Sequence, residues 1–150
     1  GIYPVSFAVD ILGPIESARA VGRLAETGAD SDVAIAAVHS GGGLSSIAMS
    51  SRAAGPNTAH VIGTDARIDI DRVWYTPTSF RVTATDGTVI EDYTSAFAGR
   101  GMQFEALYAE HLLREGRTDS DLLPFDESIT IMATLDDIRA QLGVVYPKER

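Results

Sequence analysis

The sequence runs to 150 residues with a formal net charge of −9 and no cysteine. That length suits one domain with a buried core. The absent thiols exclude disulfides and thiolate metal sites, and the acidic balance repels nucleic acid phosphates and anionic membrane.

The chain opens Gly1-Ile2-Tyr3-Pro4-Val5, apolar from its first residues. Pro4 suits the first turn of a helix, where a missing N–H costs nothing, and Gly13-Pro14 is a stop signal. A natural N-terminus seldom starts in the core, so this opening predicts a piece of a longer polypeptide. Ser17 to Leu24 follows as a mixed edge strand. Val33 to Val38 is a continuous apolar run, Gly41-Gly42-Gly43 a turn, and Leu44 to Ser50 the returning strand of a hairpin. Thr58 to Ile62 and Arg67 to Asp71 are short strands beyond the Gly55-Pro56-Asn57 turn. Phe80, Val82 and Ala84 alternate with polar residues in the period of a half-exposed strand, and Asp86-Gly87 turns it into Val89 to Tyr93. Helical spacing then takes over. Phe104, Leu107, Tyr108, His111 and Leu112 share one face. Pro124 begins the last helix, where Ile131, Leu135, Ile138 and Leu142 form a second stripe before Gly143. No apolar run approaches the roughly 20 residues of a membrane span.

Strands grouped together and helices grouped after them predict an α+β fold. We expect a mostly antiparallel open sheet of about six or seven strands, with two to three helices on one face. The runs Val33–Val38 and Val61-Ile62 are apolar in consecutive positions, as in strands covered on both sides. Something outside this sequence, a second subunit or a missing domain, is therefore expected on the other face.

Tyr3 is the candidate for chemistry. A phenol has an ordinary pKa near 10, so proton exchange near neutrality needs its anion stabilised. Its place beside a helix N-terminus supplies a positive dipole end and free N–H groups, which Tyr75, Tyr93, Tyr108 and Tyr146 lack. Gly99-Arg100-Gly101 opens a helix, and Arg100 is a candidate contact for an anionic group, against the plainer reading of a solvated loop Arg. No Gly-x-Gly-x-x-Gly fingerprint follows, because position 104 is Phe. The pairs Asp30/Asp32, Asp69/Asp71, Asp119/Asp121 and Asp136/Asp137 lie near turns and helix ends, where solvation and capping explain them. His39, His60 and His111 are isolated in sequence, and no metal site is expected.

Ordered motifs along the chain carry a resemblance. They are Gly1-x-Tyr3-Pro4 leading into a helix, Gly63-Thr64-Asp65-Ala66, Gly99-x-Gly101-Met102-x-x-Glu105-Ala106, and the closing Gln141-Leu142-Gly143-x-x-Tyr146-Pro147-x-Glu149. The set resembles the C-terminal domain of the glucose–fructose oxidoreductase and inositol dehydrogenase (Gfo/Idh/MocA) family, close to its dihydrodiol-dehydrogenase-like branch. There the pattern is Asp-x-Gly-x-Tyr. Gly1 and Tyr3 match, while the Asp would fall before residue 1.

The resemblance implies a single C-terminal, substrate-side and oligomerisation domain over residues 1–150, with Tyr3 as acid/base. NAD or NADP and a partner Lys would belong to an upstream Rossmann domain, and the cofactor-binding residues with them. This chain by itself would then bind no cofactor and turn nothing over. The implied substrate is a sugar, cyclitol or dihydrodiol, and the expected partners are a Rossmann domain and a second copy meeting through the sheet face, in the cytoplasm. Two other readings stay open: a non-catalytic dimerisation or ligand-binding module, and a self-contained hydrolase or lyase using the paired carboxylates.

Overall fold

A computed structural model describes residues 1–97 and 99–146. The elements run α1 (Ile2–Leu12), β1 (Ile15–Leu24), β2 (Asp30–His39), β3 (Leu44–Ser50), β4 (Ala59–Ile62), β5 (Ala66–Ile70), β6 (Phe80–Ala84), β7 (Val89–Tyr93), α2 (Met102–Arg114) and α3 (Phe125–Leu142). The α+β class and the antiparallel pairing agree with the expectation. The seven strands form two sheets, β1-β2-β3 and β4-β5-β6-β7, where a single open sheet was expected. Pro56 lies in the link between β3 and β4. The chain divides into two compact units, Gly1–Ala54 with Asp119–Arg150 and Gly55–Thr118.

In the first unit, α1 and α3 cover one face of the β1-β2-β3 sheet. β2 alternates strictly along its length: Ser31, Val33, Ile35, Ala37 and His39 are buried, while Ala34, Ala36 and Val38 are exposed. Val33, Ile35 and Ala37 pack with Val5, Ala8 and Val9 of α1 and with Ile131 and Ile138 of α3. Within this chain the apolar run is covered on one face, and Ala34, Ala36 and Val38 lie on its open face. α1 starts with Gly1 as N-cap and holds Pro4 in its first turn. Gly13 closes it at φ 82°, where an L side chain would be strained.

In the second unit, β4 to β7 form a four-stranded meander closed by the expected Asp86-Gly87 turn. The Asp86 carboxylate accepts the Thr88 N–H at 2.8 Å, an Asx turn that holds this carboxyl below the usual range. The expected apolar face of α2 is largely exposed: Leu112 is buried, but Phe104 and Leu107 are not. His111, also placed on that face by its spacing, is exposed and pairs with Glu115 at 3.3 Å.

Candidate functional site

Tyr3 lies in the first turn of α1. Its side chain is 61% exposed. Among the described residues no side chain caps this helix end, and no acidic residue occupies its first turn. The first-turn N–H groups and the positive dipole end of α1 favour an anion at this helix end. Gly1 and Ile2, immediately before Tyr3, border a cleft of about 220 Å³ within the first unit. Its floor includes Met49 of β3 and Leu135 of α3, and Arg139 and Tyr146 stand at its edge. The Arg139 guanidinium lies 4.5 Å from the centre of the Tyr146 ring and 3.3 Å from Asp136. Tyr3 does not line the cleft.

Arg100 belongs to the second unit, in the exposed loop before α2. Gly101, the N-cap, has φ 78°, and a Cβ there would come within 2.9 Å of Pro77. The Phe97 and Phe104 rings, 5.0 Å apart, bracket the same loop. Gly101 thus faces the Pro77 ring and Gly99 the Phe97 ring, so both glycines serve local packing.

Among the described residues no group of three or more His, Cys, Asp or Glu could hold a metal ion, and no helix is long and apolar enough to cross a membrane. The paired carboxylates are engaged locally. Asp32 accepts the Ser50 and Ser31 hydroxyls, which hold its carboxyl below the usual range. Asp119 accepts the backbone N–H groups of Ser120 and Phe125. Sequence spacing missed one pairing. The β4–β5 register sets His60 opposite Asp69, with Nδ1 2.9 Å from the carboxylate, and Arg67 reaches the same group at 2.9 Å. His60 and then Arg67 hold the Asp69 carboxyl below the usual range. Only the strand register, nine residues apart in sequence, could have revealed it.

No family model matches the chain. Along its full length it is 32% identical to the trans-1,2-dihydrobenzene-1,2-diol dehydrogenase of Mus musculus, covering 46% of that protein. It is 28% identical to the Homo sapiens protein of the same name, covering 47% of it. Along its full length the chain is therefore similar to dihydrodiol dehydrogenases. It spans about half the length of these relatives. The fold agrees. Superposition on the aldose-aldose oxidoreductase of Caulobacter crescentus gives a TM-score of 0.74 at 15% identity, over 94% of this chain and 43% of that one. The UDP-N-acetylglucosamine 3-dehydrogenase of Acidithiobacillus ferrooxidans gives 0.79 at 14% identity, over 94% and 45%. An oxidoreductase from Agrobacterium radiobacter, solved in complex with NAD+, L-tartaric acid and magnesium, gives 0.69 at 17% identity, over 95% and 45%. The Gfo/Idh/MocA resemblance thus extends from scattered motifs to the whole chain.

The described residues do not fit a dinucleotide. Every strand pairing is antiparallel, so no parallel strand–turn–helix unit presents a helix N-terminus to a pyrophosphate.

Proposed function

We propose that this chain is the C-terminal, substrate-side and oligomerisation domain of an NAD(P)-dependent oxidoreductase of the cytoplasm. Its substrate would be a sugar, cyclitol or dihydrodiol-type hydroxyl or carbonyl. The observation that carries this reading is Tyr3, exposed in the uncapped first turn of α1 in a chain related along its full length to dihydrodiol dehydrogenases. In this reading the Tyr3 phenol passes a proton to or from the substrate oxygen. The helix end favours the phenolate that remains after donation. Arg100 contacts an anionic or strongly polar part of the substrate. The nicotinamide cofactor and its binding residues belong to an upstream Rossmann domain, because the residues of this chain do not fit them.

The open sheet faces are the proposed oligomer contacts. On the first sheet Val21 is 71% and Leu44 74% exposed, flanking Ala34, Ala36 and Val38. A sheet face of small and apolar side chains favours association.

The test is Tyr3→Phe in the full-length protein. Removal of a general acid/base predicts a fall in kcat of about 10²- to 10⁴-fold with KM little changed. Unchanged turnover removes Tyr3 from the chemistry.

A further inference from the structure

The cleft beside Gly1 leaves apolar side chains of the first unit without full cover. Met49, Leu135 and Leu142 are only partly buried against the core that holds Val5, Ile131 and Ile138. All three line the cleft. At about 220 Å³ it is smaller than the roughly 300–1,000 Å³ of a pocket for a drug-sized ligand. It suits apolar side chains of a short stretch of chain.

Gly1 forms part of the cleft wall. A Cβ on Gly1 would lie 3.8 Å from Leu135 and 3.8 Å from Met49, in ordinary van der Waals contact with the floor. Gly1 is the N-cap of α1, so the residue before it takes the position N′. Helix starts often pack an apolar side chain at N′ against the fourth helical residue, which fixes the angle at which the chain enters. Here the fourth helical residue is Val5, which has no exposed surface. Val5 belongs to the same core that Met49 and Leu135 pack against. An apolar side chain that reaches toward Val5 from before Gly1 therefore comes to rest on the cleft floor. The reading above places a Rossmann domain upstream, and its last residues join α1 at this wall.

We propose that the cleft is the seat of the residues immediately before Gly1 in the full-length protein, filled by an apolar side chain at N′, and that this seat positions Tyr3. The proposal rests on the reading above, in which Tyr3 is the acid/base and a Rossmann domain precedes it. Tyr3 is the second residue of α1. A seated entry fixes the first turn and holds the phenol in one place, whereas an unseated one lets that turn fray. A misplacement of about 1 Å can cost on the order of a hundredfold in rate. The seated residues touch no reacting atom and act through Tyr3, so they are positioning residues.

The test uses the full-length protein. Residues 1–150 contain no cysteine, so Met49→Cys and, separately, Leu135→Cys each add one thiol to the cleft, and the parent protein gives the background of any upstream thiol. We expect slow reaction of either thiol with a maleimide. Replacing the three residues before Gly1 by Gly-Ser-Gly should speed it on the order of tenfold, as the cover is lost. The same replacement should lower kcat by roughly 10- to 100-fold with KM little changed. Gly-Ser-Leu, which returns an apolar side chain to N′, should restore both protection and turnover. In a Tyr3→Phe background Gly-Ser-Gly should cost little further turnover, because the group it displaces is already gone; a general loss of structure would lower both backgrounds alike. Thiols that react equally fast with and without the replacement leave the cleft to another occupant and overturn the seat. So does protection that Gly-Ser-Leu fails to regain. Thiols exposed by Gly-Ser-Gly at unchanged kcat overturn the positioning of Tyr3. Undiminished turnover in Tyr3→Phe overturns the acid/base reading itself, and the thiol rates then still decide the seat.

Discussion

His39 has no exposed surface, and both its ring nitrogens are occupied. Gly13 O lies 2.6 Å from Nδ1 and can only accept, so Nδ1 carries the hydrogen. Nε2 then accepts the Ser45 hydroxyl at 2.9 Å. This ring ties the C-terminal end of α1 to the β2–β3 hairpin. His39→Ala leaves the Gly13 carbonyl without its ring donor, removes an acceptor from Ser45 and opens a cavity. Urea unfolding should show a loss of about 2–4 kcal/mol. Asp32 makes a pH prediction. The hydroxyls of Ser50 and Ser31 stabilise its ionised form in the folded chain, so its folded carboxyl titrates below its unfolded one. The associated stability is fully present above the unfolded value, near pH 3.9, and is lost as pH falls through the lower folded value. Asp32→Asn should flatten the acid limb of the stability curve, measured by thermal melts below pH 5. An unchanged limb sinks this account. From the sequence His39 was legible only as an isolated histidine just after the Val33–Val38 run. Its Gly13 partner is 26 residues away, and no local pattern announces such a contact.

At the scale of elements, the edge of β1 shows how a side chain can complete a sheet. β1 is the outer strand of its sheet, so Ala18 C=O and Ala20 N–H have no neighbouring strand. The Gln141 side chain of α3 supplies both partners. Its Nε2 donates to Ala18 O at 3.2 Å, and its Oε1 accepts from Ala20 N at 2.9 Å. Asp137, one turn earlier, accepts from the same Nε2 at 2.8 Å and fixes the amide. Nearby, a Cβ on Gly22 would come within 2.5 Å of Asp32 O and 3.0 Å of Leu142, so β1 lies tightly against β2 and α3. Gln141→Ala should cost about 1–2 kcal/mol and leave the Ala20 N–H open to pairing with other chains, while Ala18 O keeps the Arg19 guanidinium at 3.0 Å. Denaturant melts and light scattering check both effects. Element limits were largely legible because their punctuation is local. Leu44–Ser50 and Val89–Tyr93 fall where the sequence puts them, Pro124 precedes α3, and Gly143 ends it at φ 72°. Burial was less legible. The stripe Ile131, Leu135, Ile138 and Leu142 packs against the first core, whereas Phe104 and Leu107 share a helical face just as periodic and stay exposed. Periodicity states that residues share a face, and only tertiary structure states what covers it.

At the scale of the molecule, the decisive property is what kind of ligand two antiparallel sheets can hold. Dinucleotide pyrophosphates bind where a strand feeds a helix through a glycine turn and the helix N–H groups point at the anion. Here β1 to β7 are joined by turns and hairpins, and the three described helices follow other connections. Gly101 does open α2, but at φ 78° and against the Pro77 ring, where its lack of a side chain relieves a clash. Arg100 beside it offers one cation, and one cation on an acidic chain of net charge −9 is a weak attractor for a multiply charged ligand. This chain by itself should therefore leave NADH and NADPH fluorescence unchanged at concentrations near a millimolar. The full-length protein should enhance or quench it. Saturable binding by the short chain would contradict the assignment of the cofactor to upstream residues. Turnover lost in Tyr3→Phe of the full-length protein, with cofactor binding retained, would divide the labour as proposed: proton transfer from this chain, cofactor binding from the residues before it.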